Sequence, residues 1–117
     1  MMDHKELDVW KESINLVKMI YAKTRDFPKD EIFGLTSQIK RAAVSVPSNI
    51  SEEAARRSDK EFNHFLYIAL GSLSEVETQM IIAVELEFIK EVDSIIEKIN
   101  KVRRLLLGLI KYLKDKK

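Results

Sequence analysis

The sequence predicts an all-α protein, an up-down-up-down antiparallel four-helix bundle whose second helix is kinked at Pro47. Three observations predict it. Apolar residues recur at steps of three and four over four long stretches, the period of an amphipathic helix. The breaks between these stretches are a few residues long, which forces neighbouring helices to run antiparallel. The 117 residues include only three glycines and two prolines, too few turn-formers for an all-β fold.

The first helix covers about 8–26, with Trp10, Ile14, Val17 and Tyr21 on one stripe and Val9, Leu16 and Ile20 beside it. Phe27-Pro28 stops it, because the residue before a proline is pushed out of the α region. A turn over 29–33 leads to the second helix, which starts near Gly34 and fades near Arg57. Its inward residues are Leu35, Ile39, Ala42, Ala43, Val46 and Ile50. Pro47 lies inside it and removes one backbone hydrogen bond at a cost of roughly 3 kcal/mol, so packing must compensate the kink.

Ser58-Asp59-Lys60-Glu61 reads as a capping box opening the third helix, about 59–87. Phe62, Phe65, Leu66, Ala69, Leu73, Val76, Met80 and Ala83 face inward there. The fourth helix, about 91–114, has the most regular seam: Val92, Ile95, Ile99, Val102, Leu106, Leu109 and Leu113 alternate steps of three and four. Ile96, Leu105, Leu107 and Ile110 on this helix, and Tyr67, Ile68, Ile81 and Ile82 on the third, spread apolar surface beyond the seams. A helix apolar around most of its girth is buried by something, here a neighbouring subunit, so a homo-oligomer is expected.

Composition narrows the function classes. One chain of this length fits a single domain, 1–117, with one core. There is no cysteine, hence no disulfide framework, thiolate nucleophile or cysteine zinc site. No apolar run approaches the roughly 20 residues that span a bilayer, and the start of the chain is polar, so no membrane partner and a cytoplasmic location are expected. Charge is unevenly placed: residues 75–97 carry seven acidic side chains against Lys90 alone, and 98–117 carry eight basic ones against Asp115 alone.

Chemical motifs are sparse. Glu61-Phe62-Asn63-His64 has the Glu-x-x-His spacing of di-iron bundles, but a second copy is missing and Glu61 already serves the capping box. Glu75 and Gln79 lie one turn apart on the third helix, with Glu52 on the second facing them. Without a nucleophile or histidine nearby they read as a polar network fixing helix register, with Arg41 or Arg56 as partners. No phosphate-binding glycine loop and no Ser/His/Asp set is present, so no enzyme activity and no cofactor are expected. Two basic groups stand out: Lys40, Arg41, Arg56, Arg57 and Lys60 around helix two, and Lys98, Lys101, Arg103, Arg104 and Lys111 on helix four. A pI near 7.9 is modest for a nucleic-acid binder, but oligomerisation would multiply such patches.

Three blocks carry a resemblance: LDVWKESINLVKMIY, FPKDEIFGLTSQIKRAAVSVPSNISEEAAR and FLYIALGSLSEVETQ, within about residues 7–88. Together they resemble the bacterial four-helix-bundle proteins first noticed as reading frames inside intervening sequences of large-subunit ribosomal RNA. That family is related to the accessory variability protein of diversity-generating retroelements. The resemblance implies a homopentameric bundle without enzymatic activity and, in the retroelement relatives, a basic surface that engages nucleic acid. Arg41, Ser45, Pro47, Ser48, Asn49, Glu52 and Arg56 fall on the family's signature, as do Gly71, Ser72, Glu75, Glu77 and Gln79. These residues are expected to form the kink and the polar contacts of bundle and ring. Where the family has glycine in an N-I-A-E-G run, this chain has Glu53, which predicts that the local backbone stays helical.

Two functional expectations follow. In the first, an oligomeric bundle binds structured RNA through Arg56, Arg57, Lys60, Lys101 and Arg104. In the second, it is a protein–protein scaffold or accessory subunit with an unknown protein partner and no nucleic-acid binding.

Overall fold

The structure is a computed structural model that describes residues 3–56 and 63–115. Among them are four α-helices and no strand: α1 (Asp8–Thr24), α2 (Leu35–Arg56), α3 (His64–Glu85) and α4 (Asp93–Asp115). Short 3₁₀ turns at His4–Glu6 and Lys29–Glu31 precede α1 and α2. Each helix packs on two others: α1 and α3 each lie against both α2 and α4, and α2 lies closest along α3. Leu16 and Ile20, Ile39 and Val46, Leu66 and Met80, and Ile99 and Leu106 close one four-helix-bundle core from its four sides.

The helix ends depart from the sequence reading for local reasons. α1 stops at Thr24, two residues early, because Arg25, Asp26 and Phe27 donate to carbonyls three residues back and wind the chain tighter before Pro28. α2 opens on the Glu31 carboxylate, whose Oε1 accepts from the Leu35 N–H at 3.0 Å. A Cβ on Gly34 would come within 2.8 Å of that oxygen, so the glycine leaves room for the cap.

α3 begins at His64, not at 59, since Asn63 sits in the left-handed region (φ 66°) and cannot continue a helix. The Ser58–Glu61 capping box lies outside the described residues. α3 ends at Glu85 rather than 87. Glu87 takes a left-handed conformation (φ 64°), its N–H bonding the Val84 carbonyl and that of Phe88 the Ala83 carbonyl, both at 2.9 Å. This is a Schellman cap built without glycine. The ring of Phe88 then packs on Phe27, centroids 5.7 Å apart.

Two core stripes also shift. On α1 the buried line is Val9, Ser13, Leu16, Ile20 and Thr24, while Trp10, Ile14 and Val17 are half-buried and Tyr21 is exposed. Polar members hide this line in the sequence. Ser13 and Thr24 tolerate burial because their hydroxyls donate to the Trp10 and Tyr21 carbonyls, at 2.7 and 3.2 Å. On α4 the seam holds except at one place, where Ile110 is buried and Leu109 is left half-buried. The departure is local, since Leu113 in the next turn is buried again on the strict seam.

α2 runs as one helix through Pro47, which is buried. Side chains around it bond back to the backbone: Asn49 Nδ2 donates to the Ser45 carbonyl at 2.8 Å, and Ser51 Oγ to the Pro47 carbonyl at 3.1 Å. Helix survives at Glu53, as the departure from the family's glycine predicts.

Candidate functional site

The basic residues of α4 divide by the side of the helix they occupy. Lys98 and Lys101 turn towards α1, where Glu12 receives both: Lys98 Nζ lies 2.6 Å from Oε1 and Lys101 Nζ 3.1 Å from Oε2. These hydrogen bonds, Lys98 first and then Lys101, hold the Glu12 carboxyl below the usual carboxylate range. Arg103 turns towards α3, its Nη2 2.7 Å from Glu77 Oε1 and its Nη1 2.7 Å from Asn100 Oδ1. Steps of three and four from Lys101 reach Arg104, Gly108 and Lys111, all exposed. Arg104 and Lys111 thus share one outward stripe, with Lys101 at its α1 edge. Neither Arg104 nor Lys111 forms an ion pair among the described residues.

Helix two contributes less than its sequence suggests. Arg56 is exposed at the end of α2, where its Nε lies 3.0 Å from Glu52 Oε2 and its guanidinium stands 5.9 Å from the Phe65 ring centroid. Lys40 lies over the Tyr21 ring at 4.8 Å. Arg57 and Lys60 lie outside the described residues.

The signature polar residues gather between α2 and α3. Gln38, Arg41, Ala42, Ser45, Ser72 and Glu75 line an open cleft of about 340 Å³. At its floor the Ser45 and Ser72 hydroxyls are 2.8 Å apart, and Asn49 Nδ2 donates to Ser45 Oγ at 2.9 Å. One turn further along, Gln79 Nε2 donates to Gln38 Oε1 at 3.4 Å. The Gln79 carbonyl is buried with no partner among the described residues. Arg41, Ser45, Asn49, Glu75 and Gln79 therefore form one neighbourhood. Glu52 does not join it: it pairs with Arg56 at the far end of α2. Ser48 is exposed and makes no side-chain hydrogen bond among the described residues.

The carboxylate that crosses to α3 is the next one along, Glu53. It is buried, and its Oε1 accepts from the Phe65 N–H at 3.2 Å. Asn63 leaves that end of α3 without a side-chain cap of its own, because its amide reaches instead to the Ile110 carbonyl at 3.3 Å. Glu53 supplies the acceptor, and its charge suits the positive end of the helix. The sequence signal was present: an acidic residue among the inward positions of α2, one place from the exposed face.

Among the described residues no group of three or more His, Asp and Glu side chains could hold a metal ion. His64 is exposed at the start of α3 with its ring 5.1 Å from that of Phe65, and its spacing partner Glu61 lies outside the described residues. No described helix is long and apolar enough to cross a membrane.

Apolar side chains are exposed away from the cleft. Phe33, in the turn before α2, is 96% accessible and Ile32 beside it is exposed. Tyr67, Ile68, Ile81 and Ile82 on α3 and Leu107 on α4 are exposed as well, whereas Ile96 and Leu105 are half-buried and Ile110 belongs to the core.

Compared with known families, the chain matches the 23S rRNA-intervening sequence proteins over residues 5–108. The match spans most of the chain, including the helical blocks that carry the resemblance and much of α4. The chain belongs to that family. Among curated proteins none matches it.

Proposed function

We propose that this 23S rRNA-intervening sequence family member is a non-enzymatic, oligomeric helical bundle that binds structured RNA by its phosphates. The observation that carries the reading is the exposed face of α4, where Arg104 and Lys111 stand two turns apart without an ion pair among the described residues, and Lys101, paired with Glu12, lies at its edge. Arg56, exposed at the end of α2, adds to this surface, and Arg57 and Lys60, outside the described residues, are further candidates from the sequence. Lysine and arginine set along a face neutralise phosphates and release counterions, which gives affinity without sequence preference.

The chain acts as one domain, 1–117, in the cytoplasm. Its helices run up-down-up-down, a topology supported by the partners they exchange: Lys23 with Glu91 and Lys98 with Glu12, Gln38 with Gln79 and Glu53 with Phe65. The assembly is a homopentamer in this reading. The exposed Phe33, Tyr67, Ile68, Ile81 and Leu107 support burial between subunits, and Pro47 shapes the kink of α2 that the ring requires.

The experiment is fluorescence anisotropy of a labelled structured RNA titrated with protein at about 50 and 200 mM salt, where a binder of several phosphates loses roughly a thousandfold or more in affinity. Replacing Arg56 and Arg57 together by alanine weakens binding and lowers the salt slope. No binding at the lower salt concentration overturns the reading. A scaffold for a protein partner then takes its place, and the exposed Ile32–Phe33 pair favours that alternative.

A further inference from the structure

The cleft between α2 and α3 combines features that helix packing alone does not need. Its walls carry a guanidinium, Arg41, and a carboxylate, Glu75, and neither forms an ion pair among the described residues. Its floor is the Ser45–Ser72 hydroxyl pair, and Ser72 is only 8% accessible. Counting hydrogens shows that this floor is incomplete. Asn49 donates to Ser45 Oγ, and one hydroxyl hydrogen bridges Ser45 and Ser72. The pair has two hydroxyl hydrogens, so the second has no acceptor among the described residues. Ala42 adds a small apolar surface beside it.

The cleft is therefore lined by a guanidinium on the α2 side, a carboxylate at the same level on the α3 side, and a hydroxyl pair with a spare hydrogen about one turn along. We infer that it is a binding site for the guanine base. Guanine alone among the bases has two adjacent donors, N1–H and the 2-amino group, that fit one carboxylate. It also has two adjacent acceptors, O6 and N7, that fit one arginine. Glu75 takes the first edge and Arg41 the second, and the spare serine hydrogen is available to an acceptor. Adenine and cytosine each offer a single exocyclic donor to Glu75, and uracil a single ring N–H. The volume lies within the range of small-ligand pockets, and an amino-acid zwitterion would satisfy both charges but leave much of it to water. Unpaired bases of RNA are recognised on these edges, so the site would give the family member a base preference on top of phosphate affinity. As a site for RNA it rests on the RNA-binding reading; as a site for a free nucleotide it does not.

The test is isothermal titration calorimetry of the intact protein with guanosine 5′-monophosphate and, separately, inosine 5′-monophosphate, which lacks the 2-amino group. The inosine nucleotide, having lost half of the Glu75 contact, should bind roughly tenfold more weakly, and the other three nucleotides more weakly still. Glu75→Gln should abolish the preference for guanine over inosine while leaving the circular dichroism spectrum unchanged, and Arg41→Ala should weaken guanosine nucleotide binding. Inorganic phosphate and glycine should not compete.

Equal affinity for the two nucleotides, competition by phosphate or glycine, an unaffected Glu75→Gln protein or no binding at millimolar nucleotide each overturns the inference. The source is distinguished by an RNA whose unpaired guanines are replaced by inosine. Weaker binding of that RNA places the site on RNA. Unchanged RNA binding with guanosine nucleotide still selected supports a free-nucleotide site. Salt-sensitive RNA binding with no guanine preference in either assay overturns the cleft and leaves the phosphate reading standing.

Discussion

The Glu53 carboxylate, buried near the end of α2, accepts a hydrogen bond from the backbone N–H of Phe65, 3.2 Å away in the first turn of α3. One helix thus caps the next. Removing a helix-terminal acceptor costs about 1–2 kcal/mol, and the Glu53→Ala chain should lose that much in urea denaturation. Glu53→Gln keeps an acceptor and should lose less. Stability within experimental error of the parent for Glu53→Ala would rule out the cap.

Glu87 carries the left-handed turn that ends α3, a conformation that costs an L-residue with a Cβ about 1–2 kcal/mol. Glu87→Gly removes that strain and gives back part of it as freedom in the unfolded chain. A net gain of about 0.5–1 kcal/mol by thermal unfolding is expected, and a loss would show that the Glu87 side chain contributes more than its backbone strain costs.

Glu12 titrates in the folded protein below its unfolded value, because Lys98 and Lys101 donate hydrogen bonds to its charged form. Its contribution is therefore complete above the unfolded carboxylate pKa and is lost as pH falls through the lower, folded one. Glu12→Gln should flatten that part of the acid stability profile and leave the rest unchanged. An identical profile in the two proteins would remove this pair of bridges from the account of acid unfolding.

Ile110 and Leu109 occupy adjacent places on α4, yet only Ile110 is buried in the core. Truncating a buried isoleucine to alanine costs about 2–5 kcal/mol. Ile110→Ala should fall in that range and Leu109→Ala should cost less than half as much, read from denaturant midpoints. The reverse order would restore the strict seven-residue seam.

Pro47→Ala should keep the helical circular dichroism signal and weaken assembly, measured by sedimentation velocity. A variant that sediments as the parent does would confine the role of Pro47 to its own subunit.

The four helices were legible because their apolar residues keep helical spacing over long stretches, and most inward positions of α2 and α3 were read correctly for that reason. The stripe of α1 was not. Ser13 and Thr24 look like surface residues until their bonds to the preceding turn are seen. The end of α3 was missed for a related reason: a Schellman cap is signalled by glycine, and here a glutamate holds the left-handed place. At the candidate site, helical spacing suggested polar groups recurring beside the apolar stripe of α2, Arg41, Ser45, Ser48, Asn49, Glu52 and Arg56 among them. It could not predict the register between helices, which sets Ser45 against Ser72 and sends Glu52 to Arg56 while Glu53 reaches α3.

That register has a consequence for how two copies of the chain could meet. Among the described residues the hydrogen bonds between α2 and α3 are Gln38 to Gln79, Ser45 to Ser72 and Glu53 to Phe65, and none requires that both helices come from the same molecule. If two chains traded their second halves, each α2 would meet an identical α3 and every one of these bonds would re-form. The difference between a self-contained bundle and an interchanged pair would then rest on protein concentration, since the seam is the same in both.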